Sequence, residues 1–239
     1  MKRGINLGCG KIILPCDRPD HHVLIPEHLY TDPDIQWDNA DWNAFEGVNV
    51  VVDLFDYPWR MGVPSKKDGR EIAQLIPDNT YDYAIASHIA EHIPHHVVER
   101  GQFVAHHPLY QDGWFAWFSE LWRIMKPGGK AYILVPYAWS NGGISDPTHT
   151  RYLTPATFGY FESQDNGSPF AYRMGGRWKV DLSMIPFRPH QRAVEVLRQR
   201  RGGGDYTPAP DAVQELWTMA TGELNAMVEF MIEMEALKD

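Results

Sequence analysis

The sequence predicts an α/β fold built on a mostly parallel sheet. Short β-branched segments alternate with helix-like stretches upstream of Gly202, which is typical of parallel sheets whose strands are connected by helices. The length of 239 residues suits one large domain, and a hydrophobic fraction of 44% is sufficient for a sizeable core. Together these observations exclude a disordered chain and disfavour several independent domains.

Individual elements follow from the spacing of apolar residues. The predicted strands are Arg3–Leu7, a segment that ends at Asp41, Val48–Leu54, Tyr83–Ser87, Lys130–Pro136 and Trp178–Ile185. The predicted helices are Trp114–Met125, which Asp112 caps, Thr154–Glu162 and Gln191–Arg201.

Composition shifts divide the chain into three parts. Residues 1–201 form the predicted main domain, and the Gly- and Pro-rich residues 202–210 form a linker. Residues 211–239 are predicted to form one amphipathic helix, because apolar residues recur there at helical spacing. Such a helix needs a partner surface, which is either the main domain or a second copy of the chain.

Charge and cysteine content limit the classes of partner. The 22 Lys and Arg against 31 Asp and Glu give a net charge of −9, so the surface repels a phosphate backbone and nucleic acid is an improbable partner. Only Cys9 and Cys16 are present, and the amino terminus has no secretory pattern, which favours a cytoplasmic location. Apolar runs are too short to span a membrane.

A glycine loop, Gly8-Cys9-Gly10, closes the first predicted strand. Glycine permits a sharp turn and a close approach of a ligand, although a plain tight turn uses the same residues. A dinucleotide fingerprint would need a third glycine at position 13, where Ile13 stands. A nicotinamide or flavin cofactor is therefore disfavoured.

Two acids are expected at the carboxyl edge of the sheet, where open parallel sheets bind ligands. Asp41 ends the second predicted strand, and Asp53 follows the β-branched run of the third. Carboxylates there can accept hydrogen bonds from a ribose diol and an exocyclic amine. Acids are also common in turns after strands, so each position alone has a structural explanation.

The ordered set of motifs is more specific than any one of them. It comprises Asn6-Leu7-Gly8-Cys9-Gly10, Asp41, Asp53-Leu54, the segment Asp82 to His92, and Leu121 to Lys130. This set resembles the class I S-adenosylmethionine-dependent methyltransferases, in the branch with an Asn-Leu-Gly-Cys-Gly first loop. The resemblance covers about residues 3–161, with unmatched stretches near 11–34 and 95–113.

The resemblance implies a Rossmann-like sandwich with helices on both faces, to which the carboxy-terminal helix would be added. It also implies S-adenosyl-L-methionine as cofactor and a set of residues around it. Asn6, Gly8, Cys9 and Gly10 would lie beside its methionine and ribose, and Asp41 would hold the ribose hydroxyls. Asp53 and Leu54 would frame the adenine, and Ala86, Ser87 and His88 would line the floor near the sulfonium.

The segment Asp146 to Arg151 follows the fifth predicted strand and is expected to arch over the same edge. His149 is the candidate general base, because an imidazole of ordinary pKa near 6.5 can take a proton near neutral pH. Asp146 and Arg151 are the candidate substrate-binding residues, although Arg151 could simply pair with Asp146. The motifs of DNA methyltransferases are absent, so the expected acceptor is a small molecule, sugar or peptide.

Two other functions remain open from the sequence. His88, Glu91 and His92 match H-x-x-E-H, which on a helix could hold zinc for a hydrolase, but no third ligand stands out and we assign no metal ligand. In the structural interpretation, Glu91 and His92 brace the helix after the fourth strand. A nucleoside-binding module without catalysis is the third possibility.

Overall fold

The computed structural model describes residues 1–19, 22–62, 74–95, 98–99, 102–103, 112–162, 176–182, 185–200, 215, 217–219 and 225–238. Its strands are β1 (Lys2–Leu7), β2 (Ile35–Asp41), β3 (Val50–Val51), β4 (Arg60–Met61), β5 (Gln74–Leu75), β6 (Tyr81–Ser87), β7 (Val98–Glu99), β8 (Gln102–Phe103), β9 (Met125–Pro136), β10 (Arg177–Val180), β11 (Phe187–Pro189) and β12 (Met227–Leu237). Its helices are α1 (His28–Thr31), α2 (Gly113–Ile124), α3 (Asn141–Ser145), α4 (Pro155–Glu162) and α5 (Gln191–Arg200), and a 3-10 turn covers Ala90–His92.

One sheet of eight strands organises the described residues. Its order is β10-β12-β9-β6-β1-β2-β3, with β11 paired to β12. The run from β3 to β9 is parallel, and β12 is antiparallel to β9, β10 and β11. The chain winds outward from β1 to β3, then returns to β6 on the other side of β1. This reversal is the switch point of a Rossmann-like sheet, where the carboxyl ends of the strands leave a crevice.

Both faces of the sheet are covered by helices. Ala84 and Ile133 lie in a buried cluster with residues of α2, α4 and α5. Their strand neighbours, Ile85 and Leu134, lie in a second cluster with residues of α1. Because successive side chains of a strand point to opposite faces, the two clusters are the two sides of the sandwich. The predicted mostly parallel sheet with helices on both faces is therefore confirmed.

The predicted helix over residues 211–239 is wrong in its last part. Residues 215 and 217–219 are helical, but Met227–Leu237 forms β12, inserted between β9 and β10. Phe230, Ile232 and Met234 join the cluster on one face, whereas Met231 joins the other. Methionine and glutamate favour helices, but two open strand edges supply hydrogen bonds and a core that override this preference. The expected oligomer contact through this helix loses its basis.

Most other predicted elements are confirmed, with shifted ends. Asp112 caps α2, since its carboxylate accepts a hydrogen bond from the Trp114 amide at 2.8 Å. The third predicted strand shrinks to Val50–Val51, and the strand predicted from Trp178 is observed as Arg177–Val180. The predicted linker, residues 202–210, lies outside the described residues. Among the described residues, no helix is both long enough and apolar enough to cross a membrane.

Candidate functional site

A pocket of about 380 Å³ opens at the switch point of the sheet. It is lined by the ends of β1, β2, β3 and β6, through Gly8, Asp41, Trp42, Val52, Asp53, Leu54, Phe55, Ile89 and His92. The register explains this convergence, because Leu7 lies level with Ala40 on one side and Ala86 on the other. The volume falls within the range of small-molecule sites.

Gly8 forms the tightest point of the pocket wall. Its φ of +64° lies in the left-handed region, and a Cβ there would lie 2.1 Å from Cδ1 of Ile89. Gly10 has a similar φ of +53°, yet a Cβ there would have no atom within 4 Å. Backbone geometry thus requires glycine-like freedom at both positions, whereas side-chain crowding excludes a larger residue only at Gly8.

Asp41 fastens the glycine loop to the end of β2. One carboxylate oxygen accepts a hydrogen bond from the Gly10 amide and the other from the Asn43 amide, both at 2.9 Å. The side chain is buried yet lines the pocket. Each carboxylate oxygen has more than one lone pair, so Asp41 retains acceptor capacity toward the pocket.

Asp53 and Leu54 form the opposite wall. Asp53 is exposed and accepts one hydrogen bond at 2.9 Å, from the Phe55 amide. Leu54 is buried and contributes an apolar surface. At the rim, Trp42 is 69% exposed and offers a free aromatic ring. This wall therefore combines one solvated acceptor with apolar and aromatic surface.

The other residues of the predicted cofactor set lie behind the pocket. The Asn6 amide donates to the Ile12 carbonyl at 2.8 Å, Cys9 is buried, and Ala86 is fully buried in the core. Burial raises the pKa of the Cys9 thiol to about 12, so it stays protonated. Ser87 lies 2.8 Å from His22 on the second face of the sheet. The Asn6 bond ties the end of β1 to the residues that follow Gly10.

His88 is half-buried and pairs with two buried carboxylates rather than lining the pocket. Its two ring nitrogens lie 3.2 Å from the carboxylates of Glu91 and Glu229, and Arg188 also pairs with Glu229 at 2.8 Å. Burial alone would lower the pKa of His88, but hydrogen bonds to Glu229 and Glu91 outweigh it and raise the pKa to about 9. His88 is therefore a cation at neutral pH. The carboxylates of Glu91 and Glu229 balance the two positive charges of His88 and Arg188.

The H-x-x-E-H zinc pair is not assembled. His88 has a left-handed φ of +56°, and the chain beyond it forms only the 3-10 turn Ala90–His92, so His88 and His92 do not share one helical face. Both nitrogens of His88 are also engaged by carboxylates. A different group converges instead, since ligand atoms of Glu91, His92 and His149 all lie within 4.8 Å of one another.

The segment Asp146 to Arg151 is tied to this turn. The amides of Thr150 and Arg151 both donate to the Glu91 carbonyl, at 2.9 and 3.1 Å. The Arg151 guanidinium pairs with Asp112 and donates to the carbonyls of Ile93 and Pro94, so it does not pair with Asp146 as the sequence allowed. This pattern indicates a structural role for Arg151.

Two buried polar residues near the site escaped the sequence analysis. Glu229 lies in the segment predicted to be a helix. Successive residues there, such as Phe230 and Met231, point to opposite faces of the sheet, which is the pattern of a strand. His22 is buried between Tyr30 and Ser87, with ring nitrogens 2.6 and 2.8 Å from their hydroxyls. A single histidine in an unmatched stretch carries no sequence pattern that would reveal this contact.

No family model and no curated protein matches the sequence. Among solved structures, a SAM-dependent methyltransferase from Archaeoglobus fulgidus matches with a TM-score of 0.47 and 15% identity, covering 98% of this chain and 86% of that chain. The YcgJ protein from Bacillus subtilis has a TM-score of 0.44 and 12% identity, covering 100% and 92%. A putative S-adenosylmethionine-dependent methyltransferase from Listeria monocytogenes has a TM-score of 0.44 and 10% identity, covering 99% of this chain and 92% of that chain.

Because these TM-scores lie below 0.5, the fold is assigned from the strand order of the sheet and not from these structures. The order β3-β2-β1-β6-β9 repeats the first five positions of the 3-2-1-4-5-6 arrangement, with the pocket at its switch point. The chain therefore has the Rossmann-like fold that the sequence predicts.

Proposed function

We propose that the protein binds S-adenosylmethionine in the switch-point pocket and transfers its methyl group to a small-molecule, sugar or peptide acceptor. One observation carries the proposal. Three separate motifs of the sequence, the glycine loop with Gly8, the strand end at Asp41 and the pair Asp53-Leu54, all line one pocket of about 380 Å³. The strand order brings the three ends together, and their residues supply a glycine for close approach and two carboxylate acceptors.

The chemistry of the lining fits an adenosyl group. Asp41 and Asp53 supply acceptors for hydroxyl and amine donors, and Leu54 and Trp42 supply apolar and aromatic surface for a purine. The bound cofactor supplies an activated methyl group. The protein then has to align acceptor and methyl carbon, and such alignment can lower a barrier by about 7–11 kcal/mol.

His149 is the proposed base for an oxygen acceptor. Its Nδ1 lies 3.0 Å from the Gly143 carbonyl, which only accepts, so Nδ1 carries a proton and Nε2 of the neutral ring is free to take another. The ring centroid lies 4.8 Å from that of His92, which lines the pocket. His149 therefore lies directly behind the pocket wall.

Calorimetry tests the cofactor site. S-adenosylmethionine and S-adenosylhomocysteine should both bind, and Asp53→Ala should weaken binding at least about tenfold, because it removes an acceptor for the ligand. Asp34→Ala, an exposed acid at the amino end of β2, is the matched control and should bind as the parent does. Absence of binding heat at about millimolar ligand would refute the proposal.

Turnover separates an enzyme from a nucleoside-binding module. Release of S-adenosylhomocysteine should appear with at least one member of a panel of hydroxyl, amine and thiol acceptors, and His149→Gln should reduce it for hydroxyl acceptors by about a hundredfold or more. Cofactor binding without turnover on any acceptor would identify a non-catalytic module.

A further inference from the structure

Glu91, His92 and His149 form a group that the methyl-transfer chemistry does not require. Their ligand atoms lie within 4.8 Å of one another, and the three residues come from the 3-10 turn after β6 and the segment after α3. We propose that this group binds a divalent transition-metal ion through one Glu91 oxygen and two imidazole nitrogens.

Glu91 has one buried carboxylate oxygen without a hydrogen-bond partner among the described residues. Glu91 is 1% exposed, and its Oε1 lies 3.2 Å from Nδ1 of His88. Its Oε2 is buried and has no hydrogen-bond partner among the described residues. An uncompensated buried carboxylate oxygen is costly, and a cation is a strong partner for it.

In both histidines of the group, Nδ1 faces a backbone carbonyl, which sets the tautomer of the neutral ring. Nδ1 of His149 donates to the Gly143 carbonyl at 3.0 Å. Nδ1 of His92 lies 3.3 Å from the Thr148 carbonyl and 3.2 Å from the Thr148 hydroxyl, which donates its own hydrogen to Asp146 at 2.6 Å. Because a carbonyl can only accept, each neutral ring keeps its Nε2 lone pair free. Histidine ligands of metals are commonly fixed in this way, with the second ring nitrogen donating to a backbone carbonyl.

Backbone hydrogen bonds hold the three proposed ligands close together before any ion binds. The Glu91 carbonyl accepts from the amides of Thr150 and Arg151, and the Thr150 hydroxyl donates to the Ile93 carbonyl at 2.6 Å. These bonds hold His149 beside Glu91 and His92, although 57 residues separate the two segments. Salt-bridged His88 fixes the Glu91 carboxylate from behind, as a hydrogen bond to a ligating carboxylate does in known sites.

The donor set indicates the class of ion. Two imidazoles and one carboxylate suit zinc or ferrous iron, rather than calcium or magnesium, which prefer oxygen ligands. Ligands about 2.1 Å from a tetrahedral ion lie about 3.4 Å apart, so the side chains must close by about an ångström. Asp146, whose carboxylate lies 3.8 Å from Nε2 of His149, adds nearby negative charge.

The position of the site indicates what it could bind. Three protein ligands leave at least one coordination position open, and His92 lines the switch-point pocket. In the part of the proposal that rests on methyl transfer, that open position takes an oxygen of the acceptor, which selects oxygen-bearing acceptors. The ion and a proton compete for Nε2 of His149, so His149 is the base in the metal-free protein, whereas in the metal-bound protein the ion would favour loss of the acceptor hydroxyl's proton to solvent.

Metal content of the untagged full-length protein is the test. After chelator treatment and dialysis, Co²⁺ should bind at one equivalent and give a visible d–d spectrum, and Zn²⁺ should displace it. His92→Gln and His149→Gln should each weaken binding about 10- to 100-fold. His28→Gln, an exposed histidine of α1 outside the group, is the matched control and should bind like the parent.

Several outcomes would overturn the proposal. These are dissociation constants of about 1 mM or weaker, binding that survives both substitutions, and equal loss in His28→Gln. Circular dichroism of each variant shows whether it is folded; should His149→Gln unfold, His149→Asn replaces it. Metal binding is measured without S-adenosylmethionine, so failure here and failure of the proposed cofactor site are separate results.

Discussion

The two ends of the parallel strands use carboxylates in different ways. At the amino end, Asp82 accepts from Lys126 at 2.6 Å, and in the middle of β2 Asp38 accepts from Arg3 at 2.6 Å. At the carboxyl end, Asp41 and Asp53 accept only from backbone amides among the described residues. Acids that have cationic partners hold the sheet together, whereas acids without them are available to a ligand.

Glu229 tests whether pairing, rather than position, separates the two kinds of acid. It lies near the carboxyl end, beside the end of β9, yet it is buried and paired with His88 and Arg188. Glu229→Gln should lower the free energy of unfolding by about 2 kcal/mol, because a buried carboxylate loses charge-assisted hydrogen bonds to two partly exposed cations. Urea denaturation measures the change.

Glu233→Gln is the matched control for that substitution. Glu233 lies on the same strand but forms an exposed pair with Lys130, and its removal should cost less than about 1 kcal/mol. Equal effects of the two substitutions would show that burial and pairing of Glu229 contribute nothing special.

Two alanine substitutions, at Gly8 and at Gly10, test how much crowding in the pocket wall contributes to stability. Gly8→Ala and Gly10→Ala both place a Cβ on a left-handed backbone, at a cost of about 1–2 kcal/mol. Gly8→Ala should cost more, because its Cβ would overlap Ile89, whereas Gly10→Ala meets open space. Thermal and urea unfolding measure both variants.

Ile89→Ala should rescue Gly8→Ala in part if the overlap is the cause, since the double variant keeps only the backbone cost. The double variant is compared with Ile89→Ala alone. A rescue of equal size in the background of Gly10→Ala would contradict the assigned contact.

The smallest expected effect lies at the amino end. Burial would raise the pKa of Asp82, but hydrogen bonds from Lys126 and the Arg3 amide outweigh it and lower the pKa. A depressed pKa stabilises the fold above the ordinary aspartate value of about 3.9, and this stabilisation is lost as the pH falls below it. Asp82→Asn should therefore cost less than about 1 kcal/mol at pH 7.

Urea denaturation at pH 7 and at about pH 3.5 measures that difference, which should shrink at the lower pH. A cost that stays constant with pH would mean that the charge of Asp82 is irrelevant. Unchanged S-adenosylmethionine binding by Asp82→Asn is also expected, since the residue lies at the opposite end of the sheet from the pocket.

Local patterns in the sequence were sufficient for much of the fold. β-Branched runs located β1, β6 and β9, and the turn residue Asp112 located the start of α2, because each signal acts over a few residues. Asp41 was expected at the end of the second strand, and it lines the pocket.

Features that depend on distant partners were not predictable. β12 takes its conformation from the edges of β9 and β10, and helix-forming residues there indicated the wrong element. The approach of His149 to Glu91 and His92 depends on backbone bonds between segments that are far apart in sequence, and the motif H-x-x-E-H pointed to His88 instead.

The insertion of β12 has a consequence for synthesis on the ribosome. β9 lies near the middle of the sheet, but its neighbour on one side emerges about a hundred residues later, after all other strands of this sheet. Until then a long apolar edge of β9 is open to any nascent strand, and pairing across so large a separation is slow. Until β12 is synthesised, β9 is therefore an edge strand, with the exposure to non-native pairing that edge strands have.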